Sequence, residues 1–330
     1  MELLKKLTEV SAVSGSEENI FSLIKSHVEP YVDEIYTDAM NNIIAHKKGY
    51  GKKLMFSAHT DEIGLMANYI DDKGFVRFAP VGGVDVYAAL YQRVVFSNGV
   101  VGTVCYEDKL DVKKDLKPQN MYIDIGAASR EEAEKLISYG DTASFEGSFI
   151  KREGTVVSKA LDNRIGVYVL IEALKKLERS PFDLYVVFSS QEEIGLRGAK
   201  TAAYGIDPDV SLCVDITSTG DTPGCETLDL KLGGGVAIKI MDKSVICHKK
   251  VRDALARCAG AGEIHHQFEI LTYGGTDAGA MQSVKNSSLT GALSVPIRYV
   301  HTPCETANIS DIEACINLVH DFCRKDFIFD

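Results

Sequence analysis

The chain changes texture twice. Up to Gly64, and again after about Val157, apolar β-branched runs alternate with amphipathic stretches, the rhythm of strands linked through helices. From Leu65 to Val157 that rhythm gives way to short alternating stretches punctuated by glycine, such as Gly74-Phe75-Val76-Arg77-Phe78, Arg93-Val94-Val95-Phe96-Ser97-Asn98-Gly99 and Gly102-Thr103-Val104-Cys105. Frequent short strands separated by turn signals read as a small all-β barrel or sandwich. The expected architecture is therefore a discontinuous α/β domain, residues 1–64 and 158–330, carrying an inserted β-rich domain, residues 65–157. A length of 330 residues exceeds the usual size of one compact domain and accommodates both.

Within the α/β portion, Ser14 and Glu17 have capping-box spacing ahead of a helix that carries Ile20, Phe21, Ile24 and Val28. Residues 41–46, 53–58, 184–189 and 210–216 read as strands, residues 165–177 as a helix, and segments around 297–300 and 312–323 complete the alternation. One helix, residues 129–137, interrupts the β-rich stretch, again with capping-box spacing between Ser129 and Glu132.

Charge narrows the choice of partner. Against 36 basic residues stand 47 acidic ones, a formal net charge of -11, which disfavours nucleic acid or an anionic membrane and leaves small molecules, peptides and cations. Eight cysteines show no Cys-x-x-Cys pair and no zinc-finger spacing, as expected of reduced thiols in a cytosolic protein. The first residues, Met1-Glu2-Leu3-Leu4-Lys5-Lys6-Leu7, lack the apolar core of a signal peptide, and no apolar run is long enough to span a membrane, so a cytoplasmic protein is expected.

Five polar runs concentrate the chemistry: Ser57-Ala58-His59-Thr60-Asp61, Leu161-Asp162-Asn163, Gln191-Glu192-Glu193, Val214-Asp215-Ile216 and Tyr299-Val300-His301. At least three follow directly on apolar β-branched segments, and an α/β sheet gathers its functional groups at the carboxyl ends of its strands. Taken singly, Asp162 is an N-cap, Glu192 and Glu193 a solvated loop pair, and His59 and His301 partly buried histidines. Taken together, that many carboxylates gathered in one place would repel one another unless cations lay between them. His59, Asp162, Glu193, Asp215 and His301 offer the nitrogen and oxygen ligands of a paired metal site. Glu192 and Glu193 point apart on an extended backbone, leaving one for metal and one as a base. The adjacent pair His265-His266 is read as strand residues facing apart, and residues 219–224 as a shaping turn.

The motifs Ser-Ala-His-Thr-Asp-Glu-Ile-Gly at 57–64, Ala-Leu-Asp-Asn-Arg at 160–164, Gln-Glu-Glu-Ile-Gly-Leu-Arg-Gly-Ala at 191–199, Val-Asp-Ile-Thr at 214–217 and Val-Pro-Ile-Arg-Tyr-Val-His-Thr-Pro at 295–303 resemble, in the same order and nearly end to end, those of the tetrahedral aminopeptidases. These are cytosolic dinuclear metallopeptidases grouped with glutamyl and leucyl aminopeptidases. The resemblance implies a zinc-peptidase-like mixed sheet flanked by helices, with an inserted small β-barrel. It also implies two divalent ions per subunit, zinc or cobalt, one held by His59, Asp162 and Asp215 and the other by Asp162, Glu193 and His301, with Asp162 as the bridge. Glu192 matches the general base that takes a proton from the metal-activated water, and Asp61 the aspartate that orients His59. Residues 274–279 resemble a loop beside the active site, where Asp277 is either a substrate contact or part of a plain glycine turn. The insert would be the oligomerisation domain, since relatives pair into dimers that build hollow tetrahedral dodecamers admitting unfolded peptides.

Two rival functions remain at this level. Some relatives carry an endoglucanase label, although glycosidases need two carboxyls roughly 5 to 9 Å apart and generally no metal pair. A non-catalytic metal-binding scaffold would keep the fold but show eroded ligands, and here none is missing.

Overall fold

The computed structural model describes residues 1–225 and 228–325. Four adjacent parallel strands form the centre of a large mixed sheet, in the order Asp183–Ser189, Lys53–His59, Val210–Ser218 and Leu289–Arg298. Ile43–Lys47 adds antiparallel on one side and Glu305–Asn308 on the other. The central strands are buried almost throughout, as the near-continuous apolar sequences Lys-Leu-Met-Phe-Ser-Ala-His and Asp-Leu-Tyr-Val-Val-Phe-Ser require of parallel strands covered on both faces.

Alternate side chains of one strand reach different layers. Leu54, Phe56 and Ala58 pack with the helices Glu18–Val28, Leu161–Lys176 and Ile309–Arg324, while Met55, from the same strand, packs with Ala199, Ala202, Ala203 and Met281 of the helices Arg197–Ile206 and Asp277–Gln282. That two-sided burial fixes the strand register, because a one-residue slip would exchange the faces.

Six antiparallel strands close into a barrel in the order Gly64–Ile70, Val76–Val81, Met121–Asp124, Val101–Tyr106, Arg93–Phe96 and Thr142–Phe145. The barrel has its own core, including Leu65, Phe78, Val94, Phe96, Val104, Met121 and Ile123. It leaves the α/β unit at the end of the His59–Gly64 stretch, so its first strand starts where the sheet's polar edge lies. Strands Ile150–Lys151 and Thr155–Ser158 hydrogen-bond to the large sheet rather than to the barrel.

Local expectations fare differently at the two capping boxes. Ser129 accepts from the Glu132 amide at 3.3 Å, as its spacing predicts, although the helix it starts is the short Arg130–Ala133. Ser14 does not cap the Glu18–Val28 helix. Its hydroxyl donates to the Asp61 carboxylate at 2.6 Å, and Glu17 accepts from the amides of Gly15 and Gln191. Both residues of the expected box are drawn to partners distant in sequence, because a buried carboxylate outcompetes an exposed helix end for a hydroxyl donor. No helix among the described residues is long and apolar enough to cross a membrane.

Candidate metal centre

His59 ends the second of the four parallel strands, Asp215 lies near the end of the third, the Gln191–Glu193 turn follows the first, and the 299–301 turn follows the fourth. Asp162 comes from the start of the Leu161–Lys176 segment. There the backbone of Asp162 and Asn163 is non-helical, with φ/ψ of -78°/108° and -119°/40°, and the Asp162–Asn163 peptide is cis. Asp162 is therefore not an N-cap of a regular helix; its carboxyl is turned into the cleft between sheet and barrel.

The donors converge on two points. His59 Nε2 lies 3.1 Å from Asp162 Oδ1 and 3.7 Å from Asp215 Oδ1. His301 Nε2 lies 3.3 Å from Asp162 Oδ2 and 3.2 Å from Glu193 Oε2. The two oxygens of Asp162 thus face different sets, and the ligand atoms of each set lie within 4.8 Å of one another. Donors about 2.1 Å from a tetrahedral ion are separated from one another by roughly 3.4 Å, so the observed spacings fit a divalent ion in each set.

Glu192 and Glu193 do diverge, but not through strand pleating. The strand stops at Ser189 and Gln191 is left-handed, φ 52°, so the divergence arises in a turn. Glu193 joins the His301 set, whereas Glu192 Oε2 comes to 3.9 Å from His59 Nε2 and belongs to neither donor set.

Electrostatics shows how crowded the metal-free cluster is. Burial, reinforced by Asp162 and Asp277, pushes the Asp215 carboxyl up to about 8. Burial, with Asp215, Glu193 and Asp277, also raises Glu192 well above the carboxylate range. Burial disfavours charge on His301, yet Asp162 and Glu193 push it up to about 12. Burial likewise works against the Asp162 carboxylate, and His301 and His59 outweigh it and hold its pKa below the usual range. So many acids sharing one cleft keep protons that divalent ions would displace.

Asp61 does more than its neighbour His59 requires. His59 Nδ1 lies 3.1 Å from the Asp61 backbone carbonyl and 3.5 Å from its carboxylate, so the backbone oxygen is the nearer partner. The fully buried Asp61 carboxylate accepts instead from the amides of Glu192 and Glu193, at 3.0 and 3.2 Å, and from Ser14. It ties the end of the second parallel strand to the turn after the first.

Glu305 plays the corresponding part across the cleft and was not picked out from the sequence. Buried, it accepts from the Asp162 amide at 3.0 Å and from the His301 amide at 2.8 Å. An acidic residue four positions beyond His301 was the available signal, but nothing in the spacing shows that its carboxylate reaches Asp162.

Asp277 is not positioned to meet a substrate. It is fully buried and its carboxylate accepts from Ser57 and Ser189 at 2.6 and 2.5 Å. The preceding Gly274, Gly275 and Thr276 do line the cavity in front of the donors, as does Tyr273, together with Leu196, Ile216, Leu271 and Val300; its volume is 530 Å³. Asp221, in the expected shaping turn, clamps Arg298 bidentately at 2.9 and 2.7 Å, which ties that turn to the end of the fourth parallel strand. His266 sits in the His266–Ile270 strand with its Nδ1 3.1 Å from the Ile264 carbonyl, and neither it nor His265 joins a metal-competent group.

Comparison with known proteins places these features in a family context. The family model described as M42 glutamyl aminopeptidase matches residues 41–318. The lysyl aminopeptidase of Pyrococcus furiosus is 36% identical over 330 residues, which cover 96% of this chain and 94% of that protein. Among solved structures, the TET1 peptidase of Pyrococcus horikoshii, which can assemble into a tetrahedron or a large octahedral shell, superposes with a TM-score of 0.89 at 34% identity, over 98% of this chain and 99% of its own. A Thermotoga maritima protein named as an endoglucanase superposes with a TM-score of 0.83 at 32% identity, covering 97% and 96% of the two chains.

Proposed function

Starting from the membership of this chain in the M42 glutamyl aminopeptidase family, and hence from its being a peptide hydrolase, we propose that it removes N-terminal residues from peptides at a two-ion centre with Glu192 as general base. The observation that carries the proposal is the sharing of Asp162 between two donor sets at the floor of one cavity. His59, Asp162 and Asp215 would hold one ion and Asp162, Glu193 and His301 the other. Two divalent ions there supply the positive charge that acidifies water and polarises a scissile carbonyl. Imidazole and carboxylate donors suit zinc or cobalt.

The chain's own groups account for the rest. Glu192 lies beside both sets without belonging to either, and burial with neighbouring carboxylates raises its proton affinity, as suits a group that takes a proton and returns it to the leaving amine. Asp61 holds the Glu192–Glu193 turn, and Glu305 holds Asp162 and His301 together. Leu196, Ile216 and Tyr273 offer apolar surface to a side chain.

We also infer self-association into dimers and a tetrahedral dodecamer, with residues 65–157 as the oligomerisation insert on the catalytic unit of residues 1–64 and 158–330. In its support stand the shell-forming Pyrococcus horikoshii neighbour and the exposed Tyr69, Tyr87, Tyr91 and Tyr139 on the insert. Eight unpaired cysteines, five of them buried, support a cytoplasmic location.

The name of the Thermotoga maritima neighbour favours a second reading, glycan hydrolysis. Imidazoles seated 3.1 to 3.7 Å from the carboxylates argue for ions instead, since a glycosidase pair works without them. The deciding assay is hydrolysis of a panel of aminoacyl chromogenic substrates and of a β-glucan, before and after chelation and with zinc, cobalt or manganese restored. Aminoacyl cleavage lost on chelation and regained with ions is expected. Glucan cleavage that survives chelation would overturn the proposal.

A further inference from the structure

We infer that the Gly82-Gly83 turn of the inserted barrel positions the second ion's donors, so that the barrel completes the active site rather than only flanking it. The inference rests on the reading of Glu193 and His301 as donors.

His301 sits in irregular backbone beyond the last parallel strand, where Tyr299 and His301 both have left-handed φ, 63° and 62°. Its amide is fixed by Glu305, but its imidazole is 29% exposed and its direction depends on two side-chain torsions. On the side of the ring away from the carboxylates, Nδ1–H donates to the carbonyl of Gly83 at 3.0 Å, across 218 positions of sequence. A carbonyl only accepts, so that bond keeps a proton on Nδ1 and leaves Nε2, which faces Asp162 and Glu193, as the nitrogen that would bind an ion.

The carbonyl belongs to a turn whose place is set by the barrel. Just before it, Val81 pairs with Gly64 in the barrel wall; just after it, Asp85 caps the short Val86–Ala89 helix through the Tyr87 amide. Both glycines are needed where they are. A Cβ at position 83 would stand 2.8 Å from His301 Nδ1 and 2.9 Å from Cε1. A Cβ at position 82, where φ is +76°, would stand 2.8 Å from Ile63 Cγ2 and 3.2 Å from Glu193 Cβ, with Glu193 Oε2 next at 3.4 Å. Two consecutive glycines therefore lie close against the residues that carry two of the three donors of one set. At neither position would the added atom meet His59 or Asp215 among its nearest neighbours. The affinity for the second ion is accordingly tied to the seating of the barrel, and that for the first is not.

The test compares Gly83→Ala with Gly126→Ala in the full-length protein; Gly126 is a barrel glycine with open space around it whose φ of +76° strains an alanine, so it controls for destabilising the insert without contact to a donor. Stepwise zinc affinities come from chelator competition, and the second ion is identified as the one lost in His301→Ala. Gly83→Ala should weaken that ion by about 10- to 100-fold, as loss of an orienting partner does, and leave the other ion at the wild-type affinity, with Gly126→Ala binding both normally. Equal affinities to wild type, or equal loss of both ions, would overturn the inference while leaving the two-ion reading intact. A wild-type protein that binds fewer than two ions would defeat both. Should Gly83→Ala fail to fold, a crystal structure of the zinc-loaded wild type decides: Nδ1 within hydrogen-bonding distance of the Gly83 carbonyl and Nε2 towards the ion support it, and a separation beyond about 3.5 Å overturns it.

Discussion

Replacing Asp61 by asparagine separates two ways in which a buried carboxylate can serve a metal centre. The family resemblance implies that it orients His59, yet its carboxylate accepts three shorter hydrogen bonds: Glu192 N–H at 3.0 Å on Oδ1, and Glu193 N–H at 3.2 Å and Ser14 Oγ–H at 2.6 Å on Oδ2. In Asp61→Asn the carbonyl can keep the Glu192 amide, which turns the new NH2 towards the Glu193 amide and Ser14. The Ser14 hydroxyl can rotate to accept, but an amide N–H cannot. One buried donor is left unpaired, a loss of about 1–3 kcal/mol in stability, which a melting curve registers as a drop of a few degrees. The larger effect is kinetic. Glu192 is carried on the turn that the substitution loosens, and a displacement of about 1 Å in a catalytic group costs on the order of 10²-fold in rate. The assay is kcat on an aminoacyl chromogenic substrate, measured with increasing zinc or cobalt. Persistently low kcat at saturating ion is the expected result. Recovery of the wild-type kcat at high ion concentration would refute the reasoning, because it would mean that Asp61 acts only on ion affinity through His59.

Glu192→Gln should retain both ions by elemental analysis and lose about 10²- to 10⁴-fold in kcat, since an amide takes no proton; a near-normal rate would exclude Glu192 as the base. Asp162→Ala should bind neither ion tightly, because each donor set loses a member, and two ions per chain in that variant would show that Asp162 does not bridge. The chelated protein should lose thermal stability as pH rises from 5 to 8. Asp215, raised from 3.8 to about 8, contributes fully only below its unfolded pKa and loses that contribution as pH rises through the folded value; His301, raised from 6.5 to about 12, adds a loss of the same sign above about pH 6.5. Saturating ions should flatten that dependence, and a melting temperature in chelator that is flat or rising over this range would count against the crowded-cluster account.

Element types and the candidate donors were legible in the sequence because both are local. Apolar runs such as residues 53–58 and 210–216 specify buried strands by their own composition, and an apolar run ending in His59 places that residue at a strand end whatever the rest of the chain does. The change to glycine-punctuated alternation after Gly64 announced the barrel for the same reason. What only the tertiary structure decided is where polar side chains spend their hydrogen bonds. Ser14 and Glu17 have the spacing of a helix cap, yet they serve Asp61 and Gln191. Asp277, beside a glycine loop, is drawn beneath the sheet by Ser57, 220 positions away. Glu305 joins two candidate donor segments 139 residues apart, and Gly83 reaches His301 from the barrel side. A buried donor or acceptor must be paired, and which partner it finds depends on which segments the fold brings within about 3 Å, a relation that no window of sequence contains.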